Sequence, residues 1–126
     1  MGKLLIVDDH PLNLKLVRVL LEAEGHDVTI AVDAPSALRA LESLHPDLIL
    51  LDIQLPGVDG LELAQQLKGT PATSAIPIIA VTAYAMKGDE EKVRAAGCNA
   101  YVSKPIDTRA LVALVARLTR PEGAPS

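Results

Sequence analysis

Short apolar runs alternate with amphipathic, helix-patterned segments five times along the chain, and that alternation leaves few folds open. A strand buried on both faces reads as a near-continuous apolar run, and residues 3–7, 28–31, 47–51, 77–81 and 100–102 are such runs. The first helix is opened by Pro11 and closed by Gly25. Asp33 can cap the second, which has Pro35 in its first turn and Ala37, Leu38, Leu41 and Leu44 on one face, and Pro46 ends it. Residues 61–67 read as a third helix, 87–96 as a charged fourth stopped by Gly97, and 108–118 as a fifth. Residues 69–75 are a polar loop. The expectation is one domain over residues 1–120 with a flexible, linker-like tail over 121–126.

Right-handed crossovers and short connections then restrict the strand order. The α/β; flavodoxin-like five-stranded parallel sheet, order 2-1-3-4-5, with helices on both faces, is the template that sets strands one and three side by side. Ligands bind at the carboxyl ends of strands in such sheets. Residues suited to phosphate or metal chemistry fall at those ends: Asp8 and Asp9 after the first strand, Asp52 after the third, Thr82 after the fourth and Lys104 after the fifth. Three carboxylates, a hydroxyl and an ammonium can hold a divalent cation against an anionic group. Carboxylate oxygens suit Mg²⁺, and a carboxylate can itself attack phosphorus. Phosphoryl transfer onto an aspartate is the chemistry this set points to.

Composition narrows the partners. At 126 residues the chain has the length of one ordinary domain, which is expected to carry the function. It holds no Phe and no Trp, so the core must be packed from Leu, Val, Ile and Ala. A net charge of −4 argues against direct nucleic-acid binding, which ordinarily needs a basic face. The lone Cys98 excludes an internal disulfide and a Cys-based zinc site, and is expected to be a small buried hydrophobe. No apolar stretch reaches the roughly 18 residues of a spanning helix, and a strand-like N-terminus runs straight into Asp8 where a signal peptide would lie. A cytoplasmic protein without membrane insertion is expected.

Asp8-Asp9, Asp52 with Pro56 and Gly57 behind it, Thr82-Ala83 and Lys104-Pro105, in that order, resemble the receiver domain of two-component response regulators over residues 3 to about 119. The resemblance implies that Asp52 accepts a phosphoryl group from a sensor histidine kinase or a histidine phosphotransfer protein, with Mg²⁺ as cofactor. It implies that Asp9 and Asp52 ligate the metal directly, that Asp8 acts mainly through water, and that the Gln54 carbonyl completes the protein ligands. Thr82 would bond one phosphoryl oxygen, Lys104 would pair with another, and Tyr101 would be the aromatic switch that a downstream protein target reads. Gln54 and Tyr84 match positions that influence phosphoryl lifetime. Such a chain is a phosphoacceptor signalling domain that assists its own phosphorylation and dephosphorylation, not an enzyme on a separate substrate.

Taken singly, each residue has an ordinary structural use. Asp8 and Asp9 could cap the helix at Pro11, Thr82 could bond local backbone, Lys104 could be solvated, and Tyr101 could be a half-buried β-former. His10, His26 and His45 show no ligand spacing and read as surface or cap residues. Leu12, Leu14, Val19 and Ala23 widen the apolar arc of the first helix, which suits a docking surface for a phosphotransfer helix or equally general Leu-rich packing. A flavin carrier would share the fold, but Asp-Asp-His-Pro replaces the phosphate loop that flavin needs. The Asp-x-Asp signature of haloacid dehalogenase phosphatases is missing, since Gln54 stands two after Asp52. A phosphorylation-independent pseudo-receiver, acting only as an interaction module, is the alternative that remains.

Overall fold

Each apolar run forms a strand and each capped or glycine-stopped segment a helix. The order is β1 (Lys3–Val7), α1 (Pro11–Ala23), β2 (Asp27–Ala31), α2 (Ala34–Leu41), β3 (Leu48–Asp52), α3 (Gly60–Gly69), β4 (Ile78–Thr82), α4 (Lys87–Ala95), β5 (Ala100–Ser103) and α5 (Thr108–Thr119). The computed structural model describes residues 2–53, 60–82, 87–103 and 106–119, with backbone alone for Pro11, Asn13 and 87–90. The strands form one parallel sheet ordered β2-β1-β3-β4-β5, as the template requires.

Local signals set the helix ends. In α1 the His26 N–H bonds the Leu21 carbonyl at 3.1 Å and the Gly25 N–H bonds Glu22 at 3.0 Å. The α4 end repeats this pattern, Cys98 to Val93 at 3.2 Å and Gly97 to Arg94 at 3.0 Å. Both glycines hold the positive φ this motif needs, 92° and 95°. Asp33 Oδ1 accepts the Ser36 N–H at 2.8 Å, and Asp107 Oδ1 accepts those of Arg109 and Ala110 at 3.1 and 3.2 Å. Such caps give a partner to amide donors at the helix start that have none within the helix.

Alternation along the strands divides the core in two. Leu5, Val7, Ile49, Leu51, Ile78 and Ala80 pack under α2, α3 and α4. Leu4, Ile6, Leu48, Leu50, Ile79 and Val81 pack under α1 and α5. Central β3 and β4 are buried at every residue, whereas the edge strands β2 and β5 keep half-buried positions, with no further strand among the described residues on their outer sides. Cys98 is buried, and burial pushes its thiol pKa up to about 11, the behaviour of a small hydrophobe.

Several expectations need correction. The second helix ends at Leu41 and not near Leu44: Glu42 N–H bonds Arg39 at 3.2 Å and Ser43 N–H bonds Ala40 at 3.3 Å, a last turn tightened to i→i−3 spacing. Gly69 closes α3 instead of opening the loop. Asp52 and Thr82 are the last residues of their strands, not residues beyond them. On α1, Leu12 and Val19 are exposed and Leu16 joins them, but Leu14 is core. The apolar surface of that helix therefore does not include Leu14. His26 is buried, not a surface residue, and its Nδ1 accepts the Gly2 N–H at 3.1 Å. No helix among the described residues is long and apolar enough to cross a membrane.

Candidate functional site

The site grows from two strand ends. β1 and β3 pair in parallel, Val7 opposite Leu51, so the residues that follow them emerge together at the carboxyl edge of the sheet. Asp8 continues from β1, its N–H held by the Ala31 carbonyl at 3.1 Å. Asp52 ends β3, and the alternation that sends Leu48 and Leu50 toward α1 carries Asp52 to the same side. Asp9 and His10 form the short link to α1, with His10 at its N-cap.

Carboxylate oxygens of Asp8, Asp9 and Asp52 and a ring nitrogen of His10 all lie within 4.8 Å of one another. Asp52 and Asp8 are buried, while Asp9 is about one-third exposed and His10 about one-half. Two full charges at such a separation repel by about 3–4 kcal/mol at an effective dielectric near 20, before water screens the exposed partner. A cation offsets that repulsion. Asp8 Oδ1 accepts the His10 backbone N–H at 2.9 Å and lies 3.1 Å from His10 Nδ1. The same nitrogen is 3.3 Å from Asp9 Oδ1 and 3.5 Å from Asp52 Oδ2.

An all-oxygen set of this kind fits Mg²⁺, which commonly binds through one or two carboxylates and keeps several waters. Asp9 Oδ1 adds a specific sign: it is shielded from solvent yet has no hydrogen-bond partner among the described residues. A carboxylate oxygen left this way is compensated when it meets a cation.

The remaining expected residues divide in two. Thr82 is buried at the end of β4, one residue past Val81, the register partner of Asp52. Tyr101 pairs with Ala80 and packs half-buried on the α3/α4 face, the face to which alternation assigns Thr82. Gln54, Lys104, Tyr84 and Pro105 lie outside the described residues.

Two contributors escaped the sequence reading. His10 is an exposed N-cap residue, as expected, but it makes no side-chain capping bond and its Nδ1 lies within 3.5 Å of an oxygen of each of the three acids. Its signal was adjacency to the acidic pair at a helix start, not spacing between histidines. Gly60 is the other. A Cβ there would stand 2.8 Å from the Ile53 carbonyl carbon and 2.9 Å from the Asp52 oxygen, so the first turn of α3 rests on the backbone that carries Asp52. The Gly60 N–H bonds the Ile53 carbonyl at 3.1 Å.

Comparisons with known proteins agree with this geometry. The sequence model of the family described as "Response regulator receiver domain" matches residues 4–116. The polar-differentiation response regulator DivK of Brucella ovis is 53% identical over 102 residues, covering 81% of this chain and 83% of that protein. A putative response regulator from Chloroflexus aurantiacus superposes with a TM-score of 0.89 at 30% identity, over 94% of this chain and 97% of the other. The receiver domain of a sensor histidine kinase from Pseudomonas aeruginosa, solved with a magnesium ion coordinated in its active-site cleft, gives 0.85 at 33% identity over the same shares.

Proposed function

The chain belongs to the response regulator receiver family, and we propose that Asp52 is its phosphoacceptor, loaded from a phosphohistidine on a sensor kinase or phosphotransfer protein in a Mg²⁺-dependent reaction. The observation that carries this reading is the convergence of Asp8, Asp9 and Asp52 within 4.8 Å at the carboxyl edge of the sheet. Asp9 and Asp52 would hold the metal directly, Asp8 would act through water, and the Gln54 carbonyl would complete the set. When bound, Mg²⁺ neutralises the acids and draws charge from a phosphoryl oxygen.

The protein's part is to place a nucleophile and to receive charge. A carboxylate oxygen of Asp52 attacks phosphorus in line, the P–N bond breaks, and the departing imidazole takes up a proton. The Thr82 hydroxyl donates to one phosphoryl oxygen and the Lys104 ammonium pairs with another. Burial of Asp52 keeps competing water from most directions. Reaction takes place in the cytoplasm, and a downstream protein reads the result.

Tyr101 is the proposed reporter of that state. It shares the Thr82 face of the sheet and lines a hollow with Val102, Ser103, Asp107, Ala110 and Leu114. Movement of Thr82 toward the phosphoryl group would open room for the ring, shifting a two-state equilibrium by its differential affinity. With no Phe or Trp, ring-labelled tyrosine NMR reads this cleanly. Tyr101 signals should shift with beryllofluoride and Mg²⁺, and Thr82→Ala should blunt the shift; an unmoved Tyr101 with the site loaded contradicts the switch.

The test of the main reading is intact mass after incubation with acetyl phosphate. Wild type should gain one base-labile phosphoryl group with Mg²⁺ and none with chelator, and Asp52→Asn should gain none. Equal labelling of Asp52→Asn overturns the assignment, and an unlabelled wild type leaves only a phosphorylation-independent interaction module.

A further inference from the structure

We propose that the outer face of α1 is a self-association surface, on which a second copy of this chain docks its own α1 antiparallel across a two-fold axis. The ground is a pattern in the helix. Leu12, Leu16, Val19 and Ala23 stand at i, i+4, i+7 and i+11, the alternating four- and three-residue spacing of a coiled-coil seam. All four are exposed, Leu12 at 83%, Val19 at 60% and Leu16 at 49%. Leu14, Val17 and Leu21 already bind the helix to the sheet, and at 3.6 residues per turn the two lines lie roughly 160° apart around its axis. A surface helix needs one apolar stripe to join its domain, so the second stripe is surplus to the packing of this one.

What covers it is read from the symmetry of the pattern. A two-fold interface must be complementary to itself. Run antiparallel about a centre between Val17 and Arg18, the seam sets Leu16 against Val19 of the second copy and Leu12 against its Ala23, large against small at both ends. The charges obey the same axis. Lys15 and Glu22 lie on one flank of the seam, and the antiparallel pairing brings Lys15 of each copy to within about 3 Å, measured along the helix, of Glu22 on the other. Symmetry makes that ion pair twice. Lys15 has no ion-pair partner among the described residues, and Glu22 meets Arg18 Nε through Oε1 at 3.2 Å, which leaves Oε2 for the second copy.

A parallel pairing would set Lys15 against the flank that carries Leu20 and forgo both ion pairs. This self-complementary order of charge favours a second copy over an unrelated helix. On the flank away from Lys15, Leu20 leads into an apolar hollow of about 300 Å³ between α1 and α5, lined also by Val112 and Ala113, so the seam has an apolar margin there. One helix from each copy makes a contact below the standard interface size, and the association is therefore weak and concentration-dependent.

The test is sedimentation velocity of the full chain from ~10 μM to ~1 mM, in wild type, Leu16→Asp, Lys15→Glu and Glu22→Lys. Wild type should sediment as a monomer at the low end and move toward a dimer at the high end. Leu16→Asp should lose that movement. Each charge reversal alone should weaken association about tenfold, because it places two pairs of like charge across the axis. An equimolar mixture of Lys15→Glu with Glu22→Lys should recover wild-type association, since every pair across the axis is then opposite in sign. All three side chains are exposed, so each variant keeps the fold. A wild type that stays monomeric throughout overturns the proposal and leaves the seam to a helix of another protein. A dimer that Leu16→Asp does not disturb, or charge reversals that the mixture does not rescue, also overturns it.

Discussion

The two ends of the sheet carry the same kinds of side chain in opposite arrangements. At the amino edge, Asp47 Oδ2 accepts the Lys3 N–H at 2.8 Å and His26 Nδ1 accepts that of Gly2 at 3.1 Å. There too, Asn99 Oδ1 accepts the Ile78 N–H at 3.0 Å and the Lys68 ammonium at 3.1 Å. Each polar side chain there closes the backbone of a strand start. At the carboxyl edge, by contrast, three acids and a histidine are gathered within 4.8 Å of one another. The difference teaches that residue type does not mark a functional site. What marks it is like charge collected where separate pairing would be cheaper, because such an arrangement is stable only with a ligand of opposite charge.

The largest expected effect lies at the carboxyl edge. Asp9→Ala should weaken Mg²⁺ binding about tenfold or more and abolish Mg²⁺-dependent labelling. Unfolding free energy should stay within about 0.5 kcal/mol of wild type or rise, since a partly exposed repelling charge is removed. Mg²⁺ titration and urea unfolding together read this, and a stability loss with intact Mg²⁺ affinity would make the two edges alike. Gly60→Ala comes next. Its Cβ meets backbone at Ile53 and Asp52, which must shift, at a cost of about 1–3 kcal/mol with slower labelling of Asp52. Wild-type rates and melting in that variant would show that α3 does not brace the site.

Asn99→Ala should cost about 1–2 kcal/mol, because it strips the Ile78 N–H of its acceptor. Labelling with acetyl phosphate should be unaffected, and a lowered labelling rate at unchanged stability would join the two edges functionally. The smallest effect is a pH slope. Burial pulls the His26 pKa below its ordinary 6.5, so the unfolded chain takes up this proton before the folded one does. The stability from neutral His26 is fully present above pH 6.5 and is lost as pH falls from there through the folded value. Urea unfolding across that window should show the decline, and His26→Gln should flatten it. An unchanged slope in His26→Gln assigns the decline to other groups.

Much of this was legible in residue order, because the periodicities are strong where burial is complete. Leu48, Ile49, Leu50 and Leu51 of β3 are buried, as their unbroken apolar run implies, and Gly25 and Gly97 stop their helices by the positive φ that glycine allows. Adjacency of β1 and β3 came from the topological template, and with it the meeting of Asp8, Asp9 and Asp52. Less legible was whatever depends on approach between distant segments. The contact of Gly60 with Ile53 has no local signature, since a glycine opening a helix has many uses. Leu44 still packs against the core and its N–H still bonds Ala40 at 2.9 Å, so the side-chain pattern continues past the point where α2 ends. His10 is the exposed N-cap residue that its place before Pro11 implies, but its nearness to Asp52 depends on the pairing of β1 with β3, which no local pattern around His10 records.

The central claim, that Asp52 is the atom-level destination of the phosphoryl group, is tested most directly by chemical trapping. Protein treated with acetyl phosphate and Mg²⁺ is reduced with borohydride, which converts an acyl phosphate to the alcohol, and the peptides are sequenced by mass spectrometry. Homoserine at position 52, dependent on Mg²⁺ and absent at Asp8 and Asp9, is the predicted result. Homoserine at either of those two positions in place of Asp52, or a phosphorylated protein that yields none, would contradict it.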